Sequence, residues 1–161
     1  MIICDTPPSL SFLTVNALMA SDGIIMPLPP SNLDFASSAQ FWDLFKDLAD
    51  DFASRGAGKD FAFINILLSK VKYAAPKDNT GQSTAIIREW IQAAYAERVL
   101  PVEIPDVEAV RTASKEFGTV YDATRDNAST RTFKSAFEAY DRFVDLIEQQ
   151  METFWQRQVG G

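Results

Sequence analysis

The chain has no histidine and only one cysteine, Cys4, among its 161 residues. The lack of histidine excludes Ser-His and Cys-His catalytic arrangements and most zinc sites. A lone cysteine excludes an internal disulfide framework and is typical of a reducing cytosol. No apolar run approaches the roughly 18 residues that a membrane-spanning helix needs. We therefore expect a cytoplasmic protein with no internal disulfide and no membrane segment.

Basic residues are also in short supply. Lysine and arginine total 15 against 22 aspartates and glutamates, which gives a formal net charge of -7. This balance argues against a generally basic nucleic-acid binder, although a local basic patch remains compatible with it. With 47% hydrophobic and 23% charged residues, the composition predicts one globular domain over residues 1–161.

Apolar runs alternate with amphipathic segments along the chain. The apolar runs predict strands near residues 1–4, 23–28, 61–68 and 99–104. The amphipathic segments predict helices near residues 9–20, 32–54, 84–96, 105–117 and 129–157. This alternation predicts a three-layer α/β fold, in which a mostly parallel sheet of about four strands carries helices on both faces.

The opening stretch "MIICDTPPSL" combines a predicted buried strand with an acidic residue at its end. An uninterrupted apolar run with two β-branched residues is typical of a parallel strand covered on both faces. Asp5 follows at the carboxyl end of that strand, where α/β sheets place their ligand chemistry. The stretch is therefore a candidate site, and it is of a kind usually found inside a domain.

The run "IICDTPPSLSFLTVNALMASDGIIMPLPP" resembles the Walker B and switch II region of the ParA/MinD family of deviant P-loop ATPases, and of ParA-type partition ATPases in particular. Weaker agreement continues through "ILLSK" at 66–70, "VLPVEIPDVEAVRTASKEFGTVYDA" at 99–123 and the C-terminal helix. The resemblance covers nearly the whole chain but only the second half of the family. It implies a partial P-loop NTPase fold and a role in DNA segregation.

The family's Walker A loop, a Lys-Gly-Gly-x-Gly-Lys-Ser/Thr run, has no counterpart in the chain. In the nearest match, "RGAGKD", Asp60 follows Lys59 where the motif needs serine or threonine, and the loop leads from a helix into a strand instead of the reverse. The family binds ATP and Mg²⁺. We expect this chain to be the C-terminal half of a ParA-like ATPase, to bind ATP and Mg²⁺ at best very weakly on its own, and to have no ATPase activity alone.

The resemblance assigns nucleotide-site roles to seven residues. Asp5 matches the Walker B aspartate, which orients a water on Mg²⁺, and the switch II prolines follow it. Two pairs of residues at strand ends, Ser69–Lys70 and Pro105–Asp106, fall where the walls of the family's adenine pocket lie. Each residue also has a simpler interpretation. Asp5 is then a helix-capping or solvated carboxylate, and the two prolines belong to the first turn of a helix. Of the two pairs, the first is then the exit of a strand and the second the start of a helix. The remaining six residues are Pro7, Pro8, Ser69, Lys70, Pro105 and Asp106.

Three lysines are candidates for DNA contact. Lys46, Lys70 and Lys72 fall near positions where family members carry basic residues that touch DNA non-specifically. The alternative is a set of solvated surface charges, because phosphate binding needs several cations together. The family's further partners, a second copy and a ParB-like adaptor, are expected on the same ground, as is association with the nucleoid.

The resemblance also bears on assembly. In the family fold the Walker A strand lies between the Walker B strand and the strand that follows it in sequence. Without it, we expect residues 1–4 to pair directly with residues 23–28, or a homodimer to cover the exposed apolar surface, because unpaired buried backbone groups are costly. The second functional hypothesis is accordingly a non-catalytic dimerisation or partner-binding module derived from the ParA fold.

Overall fold

The computed structural model describes residues 1–7, 9–72, 79–115, 117–122 and 130–160. Its sheet has three parallel strands in the order β1-β2-β3, with β1 at Gly23–Leu28, β2 at Phe63–Val71 and β3 at Val99–Pro105. Within the described residues, a short 3-10 helix (Ala96–Arg98) and five α-helices accompany the sheet: α1 (Phe12–Ala20), α2 (Asn32–Ser54), α3 (Asn79–Tyr95), α4 (Glu108–Lys115) and α5 (Thr130–Val159).

The sheet separates two apolar clusters, because successive residues of a strand point to opposite faces. Leu68 of β2 packs with Ile87 and Ile91 of α3 and with aromatic residues of α2. Its neighbour Leu67 packs on the other face with Ile147 and further apolar residues of α5. Helices thus cover both faces of a parallel sheet, which confirms the predicted three-layer α/β fold.

The four-residue and three-residue spacing of apolar side chains correctly predicted the face that α2 buries. Its positions Phe41, Phe45, Leu48 and Phe52 are all partly buried. The helix begins where Ser31 accepts a hydrogen bond on its Oγ from the backbone N–H of Asp34, at 3.2 Å. A serine cap of this kind satisfies one of the free N–H groups of a first helical turn.

The predicted strand at residues 1–4 is wrong. All four residues are exposed and belong to no helix or strand, and Ile2 exposes 91% of its surface. The sheet therefore has three strands, not about four, and residues 1–4 do not pair with β1. An apolar, β-branched run fits a strand, but a strand also needs a neighbouring chain for its N–H and C=O groups, and that depends on distant contacts.

Several boundaries also differ from the prediction. β2 runs three residues further, to Val71, and α3 begins five residues earlier, at Asn79. The predicted helix start at Pro105 is wrong, because Pro105 pairs with Val71 as the last residue of β3, and α4 begins at Glu108. Among the described residues, no helix is long and apolar enough to cross a membrane.

Candidate functional site

The three strands end at one edge of the sheet, and a cavity of about 510 Å³ opens there. In parallel sheets the residues just beyond the carboxyl ends of the strands form the usual ligand crevice. The cavity draws on the segment after β1, the end of β2, the start of the segment after β3, and α3. Its lining is Pro29, Pro30, Ser31, Asn32, Lys70, Lys72, Thr84, Ile87 and Asp106.

Lys70 lies on a bulge at this edge. Between two paired positions, β2 has one residue more than β3, since Leu68 pairs with Glu103 and Val71 pairs with Pro105. Lys70 takes a φ of 52° there, in the left-handed region that favours glycine. The extra residue leaves Lys70 exposed, whereas Val71 is buried. Non-glycine residues held in this region cluster at functional sites in many proteins.

Asp106 is the acidic group of the cavity, and it is held from several sides. Its backbone N–H donates to the carbonyl of Val71 at 2.9 Å, which fixes the chain just beyond β3 against the end of β2. Its side chain is largely buried, with Arg111 Nε at 3.6 Å and Lys72 Nζ at 4.0 Å. Arg111 also reaches Glu108 at 3.3 Å. The carboxylate is therefore positioned by α4 and by β2 together.

The structure brings together three of the predicted site residues, Lys70, Lys72 and Asp106. Ser69 precedes Lys70 but does not line the cavity. Pro105 is buried and lines instead a second cavity of about 460 Å³ beside β3 and α5. Asp5 and Pro7 are exposed and outside the lining of the carboxyl-edge cavity, and Pro8 lies outside the described residues.

Lys46 is separated from the other two candidate DNA-binding lysines. It lies about 21 Å along α2 from the end that borders the cavity, at 1.5 Å per residue. The helix also places Asp43 and Asp50 one turn away on either side of it, and both are exposed. Acids thus flank Lys46 along its own helix, which disfavours a phosphate there.

Lys59, in the loop that partly resembles a phosphate loop, has a structural contact. Its Nζ donates to the carbonyl oxygen of Met19 at 2.7 Å, in the last turn of α1, and lies 5.7 Å from the ring centre of Phe61. A lysine in this position satisfies a free carbonyl and complements the negative end of the helix dipole. The loop joins α2 to β2, as the sequence indicated, so its order of elements is opposite to that of a phosphate loop.

The family's ligands, ATP and Mg²⁺, each need particular donor groups. Within the described ranges, no three His, Cys, Asp or Glu side chains are grouped so as to hold a metal ion. Mg²⁺ commonly binds through one or two carboxylates together with substrate phosphates, so a single acid such as Asp5 is compatible with it only alongside a nucleotide. The cavity combines two lysines and one carboxylate with apolar walls, a mixture of groups that is typical of small-molecule sites.

The sequence prediction missed the β1 side of the cavity and the α3 side. Ser31 and Asn32 come directly after the two prolines that end β1, and Thr84 and Ile87 belong to α3. The rule that carboxyl ends of parallel strands converge could have identified the first pair, because β1 itself was correctly predicted. Arg111 was harder to predict from the sequence. Its one indication was its position, five residues after Asp106 and near the start of a short helix.

Comparisons with known proteins show what the chain is similar to. A family described as an AAA domain matches residues 1–55. The "Putative replication protein A" of Rhizobium rhizogenes is 26% identical over 98% of this chain. "Protein SopA" of Escherichia coli strain K12 is 26% identical over 97% of it. The chain is ParA-like. A solved structure titled "Partition Protein" matches its fold with a TM-score of 0.53 over 83% of the chain, at 20% identity.

The ParA-like chain spans only part of the proteins that it matches. It covers 37% of the replication protein, 39% of SopA and 33% of the solved partition protein. The similarity includes both the Asp-Thr-Pro-Pro segment and the carboxyl-edge cavity, because it extends along almost the whole chain. The activities of those longer proteins are carried to this chain below, as proposals.

Proposed function

We propose that the ParA-like chain acts in DNA partition and carries the Walker B, switch II and adenine-side part of a ParA-type ATPase site. The observation that supports this most strongly is the similarity to SopA along 97% of the chain. The cavity at the carboxyl edge supports the nucleotide part, because Lys70 and Asp106, for which the resemblance implies an adenine pocket, both line it.

The proposed roles divide between two parts of the chain. Asp5 orients a water on Mg²⁺ when a nucleotide is bound, and Pro7 and Pro8 respond to the nucleotide state. The base lies in the cavity against Lys70 and Asp106, whereas Ser69 and Pro105, the other members of the two strand-end pairs, are outside its lining. The Walker A lysine and loop of the family supply the clamp on the phosphates, where water attacks the γ-phosphate in line. We therefore expect this chain alone to bind ATP weakly and not to turn it over.

The proposed partners follow from the same family. They are a second copy of the chain, a ParB-like adaptor and non-specific DNA, with the protein in the cytoplasm and associated with the nucleoid. Lys70 and Lys72 are the DNA contacts that the cavity edge supports best, with Lys46 as a more distant third.

Nucleotide binding can be tested by NMR titration of the isotope-labelled chain with Mg²⁺-ADP at millimolar concentration. We expect shifts of backbone amides confined to Lys70, Lys72, Asp106 and the residues around them. Asp106→Asn should reduce these shifts, whereas Lys46→Ala, at an exposed site far along α2, should leave them unchanged. A folded chain with no shift at the cavity would contradict the nucleotide site. A micromolar dissociation constant, or ATP turnover abolished by Asp5→Ala, would contradict the expected inactivity.

A second candidate function is a non-catalytic module that binds a protein partner. The observation that favours it is a group of apolar side chains that each expose more than three quarters of their surface: Met1, Ile2, Ile3, Phe12 and Leu13. The two functions differ in the titration above, because a pure interaction module shows no nucleotide-dependent shifts at the carboxyl edge.

A further inference from the structure

The two oxygens of the Asp106 carboxylate each face a different cation. Oδ1 lies 3.6 Å from Nε of Arg111, and Oδ2 lies 4.0 Å from Nζ of Lys72. Only 16% of the Asp106 side chain is exposed, so a group that binds the carboxylate from the cavity has to displace one of these cations or lie beside it. The two oxygens are therefore not equivalent to a ligand.

The two cations differ in how readily a ligand can displace them. Lys72 lines the cavity, its side chain is 73% exposed, and its contact with Oδ2 is longer than a hydrogen bond. Its ammonium can turn to water or to a ligand at little cost, as in most exposed ion pairs. Arg111 lies outside the cavity lining, on α4, and its Nε is also 3.3 Å from Oε2 of Glu108. Oδ2 is therefore the oxygen that a ligand can take, whereas Oδ1 stays with Arg111.

We propose that Arg111 determines which bases the carboxyl-edge cavity accepts, because it leaves Asp106 one free acceptor instead of two. The inference rests on the proposed function, in which the base lies against Asp106. Arg111 is outside the lining, so it acts as a positioning residue through the carboxylate and not as a contact to the base.

The number of free acceptors matters because bases differ in the donors on their Watson–Crick edge. Guanine presents two neighbouring donors, N1–H and the 2-amino group, which match the two oxygens of a carboxylate. Adenine presents one donor group, the 6-amino group, and hypoxanthine presents one, N1–H. With Oδ1 beside Arg111, the 2-amino group of guanine enters the cavity without an acceptor, and a buried donor without a partner weakens binding. The cavity thus favours bases with one donor group at this edge.

Three diphosphates that differ only in the base test this role: ADP, IDP and GDP, where IDP is GDP without the 2-amino group. NMR titrations of the isotope-labelled chain, followed at the amides of Lys70, Lys72 and Asp106, give their dissociation constants. The wild type should bind GDP no more tightly than IDP. Arg111→Ala should bind GDP about tenfold more tightly than IDP, because both oxygens can then accept from guanine, and a two-point base contact discriminates by this order. ADP and IDP, with one donor group each, should change alike.

The ratio of the GDP and IDP constants separates specificity from structural damage. A disturbed fold weakens all three nucleotides together, whereas loss of the cation beside Oδ1 changes GDP alone. Arg111→Lys keeps a cation there and should keep the wild-type ratio. Lys115→Ala is the matched control, since it removes the same charge from an exposed position at the end of α4, and it should also leave the ratio unchanged.

A ratio that Arg111→Ala leaves at the wild-type value would overturn the role of Arg111, as would a wild type that already binds GDP about tenfold more tightly than IDP. An equal change of the ratio in Lys115→Ala would assign the effect to net charge instead. Failure of the proposed function has a different signature. In that case none of the three nucleotides would shift the cavity amides in the wild type or in any variant, which would remove the site and this role with it.

Discussion

At the residue scale, the role of each lysine depends on what the backbone places beside it. Lys59 follows a glycine in a sequence that partly resembles a phosphate loop, yet its ammonium donates to the carbonyl of Met19. Lys70 and Lys72 flank a buried valine at the ligand edge of the sheet and line its cavity. Composition and motif fragments do not distinguish these cases, because the partner of Lys59 is forty residues away in the sequence.

Replacing Lys59 by methionine should destabilise the chain. The substitution keeps much of the aliphatic side chain but removes a charged donor from the last turn of α1, so we expect the free energy of unfolding to fall by about 1 to 2 kcal/mol. Urea unfolding followed by circular dichroism measures the change. Lys46→Met, at an exposed site, is the control and should change stability by less than about 0.5 kcal/mol. Equal effects of both variants would contradict the contact.

Glycine at position 70 should have the opposite effect. Lys70 has a φ of 52°, which costs an L-residue roughly 1 kcal/mol and costs glycine almost nothing. We expect Lys70→Gly to raise the free energy of unfolding by up to about 1 kcal/mol, net of the larger entropy that glycine has in the unfolded chain. Lys72→Gly, where φ is not positive, should lower it. Urea unfolding measures both changes. A loss of stability in Lys70→Gly would contradict the inference that the backbone of Lys70 is strained at the bulge.

At the element scale, α5 is joined to the sheet by more than apolar packing. Asn65 is a buried polar residue of β2, and its Nδ2 donates to Oε1 of Gln150 at 2.6 Å across 85 residues of sequence. Around this pair lie the apolar residues that β2, β3 and α5 share. A buried amide that finds its partner in one arrangement only fixes how the helix lies on the sheet.

A double-mutant cycle tests this attachment. Gln150→Leu should cost about 1 to 3 kcal/mol of unfolding free energy, because the Asn65 amide remains buried without its partner. Adding Asn65→Leu should restore most of that loss, since both polar groups are then gone. Chemical denaturation of the two single variants and the double variant gives the coupling. Additive losses would mean that the amides do not act as a pair.

The sequence predicts where helices and strands lie better than it predicts which of them lie side by side. Periodicity identified α2 and α5 and placed β1 correctly, because the pattern of buried side chains is local. It failed for Met1–Cys4, where an apolar run found no strand beside it. Along α5 the four-and-three spacing from Tyr140 to Ile147 selects Val144 for the packing face, whereas Val144 is 41% exposed and Phe143 packs on the sheet. A strict four-and-three spacing drifts around a helix of 3.6 residues per turn.

The candidate site was predictable to a similar degree. The family resemblance singled out Lys70 and Asp106, and the end of β1 follows from the convergence of parallel strands. The bulge at Lys70 and the contact of Arg111 with Asp106 were not predictable, because both depend on how β2 and β3 align and on the direction of α4.

At the scale of the whole molecule, charge is distributed unevenly. The formal net charge is -7, and exposed acids surround Lys46 on α2, yet the cavity edge presents Lys70 and Lys72. DNA binding by so few cations should be weak, and each phosphate contact should contribute about -0.9 to the slope of log affinity against log salt. We expect fluorescence anisotropy with duplex DNA to give a slope near -2. Lys70→Ala/Lys72→Ala should abolish the binding, whereas Lys46→Ala should leave it almost unchanged. Tight binding that survives removal of all three lysines would exclude this edge as the DNA contact.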